Sequence, residues 1–238
     1  MPSTRRCLLL DLGIVEYGQA FELQRALAAG RESGALPDTL VLLQHLPVLT
    51  LGRRASGSNI VVAEELLRRE GVAVERSTRG GDVTYHGPGQ IVGYPILNLR
   101  ALGLGAAAYV HGIEASLIDL LGKFGIRAGT DPKYIGVWVG AEKIAAIGVA
   151  ITHGISMHGF ALNVDPNLGH FSLINPCGIT DRGVTSMTRL LRRPVSIDEV
   201  RPLLLESLSR TFDLEIERAE PDWLARMGIP VPALPQAI

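Results

Sequence analysis

Cys177 is the residue of this 238-residue chain whose type and setting best suit nucleophilic chemistry. It stands between Pro176 and Gly178, in the sequence Asn-Pro-Cys-Gly, which predicts a tight turn. A lone cysteine is most often a small buried hydrophobe, but a turn exposes the thiol and leaves nearby N–H groups free to stabilise an oxyanion. The other cysteine, Cys7, lies in an apolar run and is interpreted as structural. Cys177 is therefore the candidate nucleophile of an acyl transfer.

A nucleophilic thiol needs a neighbouring cation or base. Its ordinary pKa of about 8.5 leaves only a small fraction as the reactive thiolate at neutral pH. The candidates are Lys143, His86, His153 and His158. Lys143 directly precedes the apolar run 144–148. A lysine without a catalytic role, at the end of a strand with its ammonium extended into water, would fit the same position. The residues alone leave the choice among these four open.

The stretch Arg79 to Gln90 is expected to organise the site. Five of its twelve residues are Gly or Pro, yet it also carries an Arg, an Asp, a Thr, a Tyr and a His. Glycines let backbone N–H groups approach a ligand closely, and successive free N–H groups form a concave binding surface. A turn joining two strands is the simpler explanation of the glycines, but the density of functional side chains favours a binding site.

The elements that must position these residues follow from the apolar pattern. Strands are predicted at 7–12, 39–44, 48–51, 72–74, 91–99, 135–139, 144–151 and 155–164. Helices are predicted at 17–28, 64–70 and 110–124, and a further helix is predicted after Ser196, where Glu199 completes a capping box. Pro95 favours an edge or a bulge for its strand. The pattern predicts an α/β (α+β-like) fold with a mixed, largely antiparallel sheet flanked by helices.

The chain is predicted to form one catalytic domain over residues 1–220, followed by a proline-containing tail over 221–238. Its 23 basic and 24 acidic residues give a net charge of −1, which argues against a general nucleic-acid binder. Two cysteines suit a reducing cytoplasm, and no apolar run approaches the roughly 20 residues of a membrane span. No histidine pair has the cysteine or carboxylate company of a metal site, so neither metal nor cofactor is expected. A serine-nucleophile elbow and a phosphate-binding loop are also absent from the sequence.

Four segments, in this order, together resemble the bacterial octanoyltransferases, also called lipoyl(octanoyl) transferases. The segments are 79–90, 143–148, 158–163 and 175–179, and the agreement in spacing extends from residue 8 to residue 212. The resemblance implies the fold of the biotin and lipoate protein ligase superfamily. It also implies an acyltransferase that moves an octanoyl group from octanoyl-acyl carrier protein to a lysine of a lipoyl carrier domain. The implied acceptors are the lipoyl domains of 2-oxoacid dehydrogenases and the glycine cleavage H protein.

The resemblance also implies roles for individual residues. Cys177 would hold the acyl group as a thioester in a two-step ping-pong scheme, and Lys143 would lower the pKa of its thiol and shuttle protons. The octanoyl site would be lined by Arg79, Gly80, Gly81, Asp82, Val83, Thr84, Tyr85, His86, Ala146, Ile147, Gly148, Gly159, Phe160 and Ala161. Of these, Asp82 is expected to contribute only its backbone. From charge alone, Arg53 and Arg54 are expected to meet the acidic acyl carrier protein.

Three other functions remain open. An ATP-dependent lipoate or biotin protein ligase of the same fold would form an acyl-adenylate and would have no use for a nucleophilic Cys177. A non-catalytic carrier-binding protein would keep the pocket but form no octanoyl adduct on the thiol. A cysteine hydrolase would release free octanoate instead of passing it to a protein amine.

Overall fold

The structure of the protein is a computed structural model, which describes residues 5–55, 59–175, 182–220 and 222–233. The strands are β1 Arg5–Val15, β2 Asp38–His45, β3 Val48–Leu51, β4 Ala73–Arg76, β5 Val83–His86, β6 Gln90–Ile96, β7 Val137–Val139, β8 Glu142–Thr152, β9 Ile155–Asn163, β10 Gly183–Val184 and β11 Leu214–Arg218. The helices are α1 Tyr17–Glu32, α2 Glu64–Arg69, α3 Ala106–Lys123, α4 Met187–Leu191, α5 Ile197–Phe212 and α6 Trp223–Arg226, with a 3₁₀ helix at Leu168–Leu173.

The larger sheet has the strand order β10-β8-β9-β6-β2-β1-β11, and β7 pairs with β8 beside this path. Its central pairs, β2 with β6, β6 with β9 and β8 with β9, are antiparallel, whereas β1 pairs in parallel with both β2 and β11. A smaller sheet has the order β4-β3-β5. The predicted mixed, largely antiparallel sheet with flanking helices is therefore confirmed.

The larger sheet has an apolar core on each face. One core is formed by α3 and α5, whose buried leucines, such as Leu117, Leu121, Leu204 and Leu208, recur at helical spacing. The other core is centred on α1. Helix α5 begins as the capping box predicts, because the hydroxyl of Ser196 accepts a hydrogen bond of 3.1 Å from the backbone N–H of Glu199.

The segment after residue 221 also contributes to the core on the α1 side of the sheet. Leu224 on α6 and Ile229 just beyond it are both buried there. These contacts attach the described part of the C-terminal segment to the sheet. No helix among the residues in the described ranges combines the length and the apolar character needed to cross a bilayer.

Pro95 favoured an edge or a bulge for its strand, and of these the edge is wrong. β6 lies in the middle of the larger sheet, between β9 and β2. Its pairing with β9 nevertheless ends at Gly93, two residues before Pro95. The N–H group that proline lacks is therefore not needed for the ladder with β9. The hydroxyl of Ser156 instead donates to the Pro95 carbonyl at 2.7 Å and accepts from Leu97 N–H at 3.0 Å. A side chain thus replaces the backbone ladder where the proline interrupts it.

Candidate active site

A cavity of about 650 Å³ is walled by residues of β5, β6, β8 and β9 together with the loops beside them. Thirteen of the fourteen residues predicted to line the acyl site are in this wall, and so is Lys143: the thirteen are Arg79, Gly80, Gly81, Val83, Thr84, Tyr85, His86, Ala146, Ile147, Gly148, Gly159, Phe160 and Ala161. The fold therefore brings segment 79–86 against the hairpin of β8 and β9, from which it is widely separated in sequence. What binds in the cavity remains a prediction.

Asp82 is the predicted lining residue that the wall does not include. Its carboxylate accepts hydrogen bonds from the Val83 backbone N–H, at 2.8 Å, and from the side-chain amide of Asn59. Its carbonyl accepts from Gly52 N–H at 3.0 Å. Asp82 thus fastens the glycine-rich segment to the neighbouring loop.

Glycine is needed where the glycine-rich segment crosses β8. The N–H of Gly80 donates to the Val149 carbonyl at 2.9 Å. A Cβ on Gly148 would lie 3.1 Å from the Arg79 side chain and 3.2 Å from the Gly80 carbonyl, closer than ordinary van der Waals contact. The absence of a side chain at residue 148 therefore lets the segment lie directly against the strand.

Arg79 places a buried cation in the cavity wall. Its guanidinium donates to the Thr50 hydroxyl from two nitrogens, at 2.9 and 3.2 Å, and also to the Thr50 and Gly80 carbonyls. A fixed cation raises the cost of a second positive charge nearby. Its charge accordingly contributes to lowering the pKa values of His86 and His158.

His86 is buried in the wall and held neutral. Burial is the main cause that lowers its pKa well below the usual range, and the charges of His45 and Arg79 act in the same direction. Its Nδ1 lies 3.3 Å from the Gln90 side-chain oxygen, and Gln90 in turn donates to the Asn163 side chain at 2.9 Å. A neutral imidazole does not favour a thiolate by charge, so His86 is poorly suited to activate a thiol that way.

The other two candidate histidines have different surroundings. Burial, followed by the charges of Arg79 and Arg53, lowers the pKa of His158 to about 4, and its Nε2 lies 2.9 Å from the Thr78 hydroxyl. His153 lies in the turn between β8 and β9, where its ring is 2.7 Å from the Glu32 carboxylate. It is not among the residues of the cavity wall. Of the four candidate bases, Lys143 is therefore the one best suited to supply a positive charge at the cavity.

Lys143 is the second residue of β8, as its place at the start of a strand predicted. Its ammonium lies over the ring of Trp138, 4.8 Å from the centroid. On its other side β8 pairs in parallel with β10, where Val184 is in register with Lys143. The ammonium thus lies in the cavity wall, beside a strand that begins shortly after residue 177.

Cys177 itself lies outside the described residues, as do the other members of the predicted turn after Asn175. The chain on either side of residues 176–181 is described. Asn175 N–H donates to the Asn59 carbonyl at 2.8 Å, and Gly183 N–H donates to the Ala141 carbonyl at 3.1 Å. The second of these contacts lies at the hairpin that leads into Lys143.

Several polar and aromatic residues of the wall were not predicted from the sequence: Tyr17, Gln90, Tyr94, Lys133, Tyr134 and Asn163. Gln90 and Asn163 lie within the segments 79–90 and 158–163, and their side chains join β6 to β9 through the 2.9 Å hydrogen bond between them. Two amide side chains within these site segments are the sequence signal that points to them. Tyr17 begins α1 and could have been found only from the packing of that helix against the sheet.

The amino-acid sequence matches a known protein family. The profile of the lipoyl protein ligase A/B catalytic domain matches residues 16–209. An octanoyltransferase of Desulforamulus reducens is 49% identical over 213 residues, which are 89% of this chain and 93% of that relative.

Two solved structures share the fold. A lipoate-protein ligase A bound with ATP has a TM-score of 0.73 at 19% identity, covering 94% of this chain and 93% of its own. A bipartite lipoate protein ligase from Thermoplasma acidophilum, described with its E2 lipoyl domain, has a TM-score of 0.63 at 20% identity. The match covers 94% of this chain and 91% of that one. At these identities the likeness concerns the fold, which is the predicted one.

Proposed function

The chain belongs to the octanoyltransferases of the lipoyl protein ligase A/B catalytic family, and we propose that it transfers octanoyl from acyl carrier protein to a lipoyl domain through a thioester on Cys177. The acceptor is a lysine amine, as in the lipoyl domains of 2-oxoacid dehydrogenases and the glycine cleavage H protein. The cytoplasmic location and the single catalytic domain over residues 1–220 belong to the same proposal.

The first step exchanges one thioester for another. The Cys177 thiolate attacks the carbonyl carbon of the donor, a C–S bond to Cys177 forms, and the C–S bond to the carrier breaks. The carrier leaves as a thiolate and takes a proton from the ammonium of Lys143. Because one thioester replaces another, the step is close to balanced and needs no nucleotide.

The second step forms the amide and restores the enzyme. The acceptor amine attacks the acyl carbon on Cys177, and the C–S bond breaks to give back the Cys177 thiolate. The proton lost by the amine returns to the neutral Lys143 amine. The ammonium is thereby regenerated beside the thiolate that it stabilises.

The position of Lys143 in the wall of a cavity of about 650 Å³ is the observation that carries this proposal. Apolar side chains of the wall, including Val83, Ile147, Phe160 and Ala161, offer contacts to an eight-carbon chain. Each buried CH₂ contributes about 0.8 kcal/mol, so the acyl chain alone supplies several kcal/mol of binding. An ammonium in the same wall is the group that a thiol nucleophile needs.

The experiment that tests the function is transfer without nucleotide. Purified protein, octanoyl-acyl carrier protein and an apo lipoyl domain are incubated after apyrase treatment, and intact masses are followed. We expect an octanoyl increment on the enzyme first and on the lipoyl domain later. Transfer that requires added ATP and Mg²⁺ would indicate a ligase, no increment would indicate a carrier-binding protein, and free octanoate alone would indicate a hydrolase.

Filling the acyl end of the cavity is expected to change the chain-length preference. Ala146 lies in the wall on β8, paired with Ala161 on β9, which also lies in the wall. We expect Ala146→Leu to lower kcat/KM for octanoyl donors about tenfold while butanoyl donors are less affected, since the added methyl groups occupy space used by the longer chain. Competition between butanoyl and octanoyl donors, read by adduct mass, measures this ratio.

The matched control for this change is Ala150→Leu. Ala150 is on the same face of β8 but is not part of the cavity wall. Its ratio of octanoyl to butanoyl transfer should remain that of the unchanged protein. If both variants shift the ratio equally, Ala146 does not contact the acyl chain.

The charges of the wall suit an anionic carrier. Its charged residues that the structure describes are all cationic, namely Arg53, Arg54, Arg79, Lys133 and Lys143. Arg53 and Arg54 are exposed, and their loop is fixed by backbone hydrogen bonds from Arg53 to the Arg79 carbonyl and from Arg54 to the Gly81 carbonyl, at 3.0 and 3.1 Å. The backbone that carries the two guanidinium groups is therefore hydrogen-bonded to the glycine-rich segment at the cavity.

Reversing both charges is expected to weaken docking of the donor carrier. For the double variant Arg53→Glu, Arg54→Glu we expect KM for octanoyl-acyl carrier protein to rise at least about tenfold and to lose most of its dependence on salt. A neutral octanoyl-N-acetylcysteamine donor should be affected much less. The control pair Arg25→Glu, Arg68→Glu changes exposed helix residues by the same charge. An unchanged carrier KM in the first variant would exclude this docking surface.

A further inference from the structure

Trp138 lies buried on β7, directly beside Lys143. We propose that Trp138 is a positioning residue, whose indole ring fixes the ammonium of Lys143 at the cavity wall. Its catalytic consequence rests on the proposed function of Lys143, whereas the contact itself does not.

Two contacts restrict where the ammonium of Lys143 lies. Nζ of Lys143 lies over the indole at 4.8 Å from the ring centroid, within the range of a cation–π interaction. The stem is confined as well, because a Cβ on Gly136 would be 3.3 Å from Lys143 Cε and 2.7 Å from the Ala145 carbonyl. Gly136 has a φ of 131°, which favours glycine, so the chain can pass this close to the stem.

The ring itself is held rigidly. Its Nε1 donates to the Tyr134 carbonyl at 3.1 Å, and its backbone exchanges two hydrogen bonds of 2.8 Å with Gly129. The carboxylate of Asp131 holds the turn between Gly129 and Tyr134. It accepts hydrogen bonds from the backbone N–H groups of Lys133 and Tyr134 at 2.8 and 3.1 Å. A fixed aromatic face reduces the rotamer freedom of a long lysine side chain, which otherwise disfavours a single geometry.

A second cation uses the same ring. The guanidinium of Arg182 has its central carbon 5.9 Å from the Trp138 centroid and is paired with Asp131 at 3.2 Å. Trp138 therefore joins the strand of Lys143 to Arg182, the residue directly before β10. Asp131 offsets the positive charge of Arg182 near the lysine. The indole is the common contact of both cations.

The contact can be measured directly because the chain has three lysines, Lys123, Lys133 and Lys143. Reductive ¹³C-methylation keeps each ammonium charged and gives three side-chain NMR signals, assigned by single Lys→Arg variants. We expect the Lys143 signal to be displaced upfield by the indole ring current and to move toward that of Lys123 in Trp138→Leu. Trp138→Phe should keep part of the displacement. A Lys143 signal that does not move in Trp138→Leu would overturn the proposal.

Kinetics separate positioning from general structural support. We expect Trp138→Leu to slow octanoyl transfer about fivefold to thirtyfold, with Trp138→Phe retaining most of the rate. In the Lys143→Ala background Trp138→Leu should cause no further loss, because the group it positions is absent. An equal loss in both backgrounds would show that Trp138 acts only through the fold. If the unchanged protein forms no octanoyl adduct, the proposed function fails, and the NMR displacement still decides whether the ring holds the lysine.

Discussion

Cys177→Ala is expected to form no octanoyl adduct and to lose transfer by at least about a thousandfold, the scale at which removing a covalent nucleophile acts. Without the thiol, no group takes the acyl chain from the donor. The acyl-enzyme therefore does not form, and there is no acyl group to deliver to the lipoyl domain. The measurement is intact mass of the variant after incubation with octanoyl-acyl carrier protein, followed by addition of the lipoyl domain.

The matched control is Cys7→Ala, since Cys7 is the other cysteine of the chain. Cys7 is fully buried in the core on β1, and burial, with the charge of Asp38 adding to it, raises the pKa of its thiol to about 12. Such a thiol is neither accessible nor ionised at neutral pH. Cys7→Ala should therefore keep one octanoyl group per chain. An adduct that persists in Cys177→Ala would remove Cys177 from the mechanism.

Local pattern was enough to predict most elements of the fold. The hairpin between β7 and β8, the strand position of Lys143 and the start of α5 at Ser196 depend on residues close together in sequence. Apolar alternation and capping side chains determine such features directly. The largely antiparallel sheet followed from these strands and their short connections.

Features that depend on pairing between distant segments, or on the exact register within a hairpin, could not be predicted in this way. The proline of β6 suggested an edge or a bulge, but β6 is central, and the hydroxyl of Ser156 takes over the bonding where the ladder to β9 ends. The contact of Trp138 with Lys143 joins two strands of a hairpin across a register shift. Neither contact is visible in a local pattern, because each arises only once two strands have been placed side by side.

The cavity was located from the sequence by resemblance and not by periodicity. Nothing in the alternation of β8 or β9 indicates that Gly148 and Gly159 lie against other backbone segments, at Gly80 and Gly93 respectively. The close approach becomes evident once the absent side chains are considered in three dimensions. The buried histidines are a further case, because their neutrality follows from burial that the sequence does not show.

Lys143→Ala is expected to raise the pKa of the Cys177 thiol and to slow transfer about 10²- to 10⁴-fold, the range of general acid–base catalysis. The reason is twofold, since the ammonium both favours the thiolate and exchanges protons with the leaving and attacking groups. The rate of alkylation by iodoacetamide as a function of pH gives the thiol pKa, and single-turnover mass analysis gives the two transfer steps. Lys123→Ala, whose lysine pairs with Glu206 on α5, is the control and should leave both unchanged.

Lys143→Arg separates the two parts of this role. An arginine keeps the positive charge but does not release its proton at neutral pH. We therefore expect Lys143→Arg to preserve a lowered thiol pKa and acyl uptake from the donor better than Lys143→Ala, while delivery to the lipoyl amine stays slow. An alkylation profile that is unchanged in Lys143→Ala would mean that another group activates the thiol. His86 would then be the next candidate, although its burial disfavours the charged form that such a role requires.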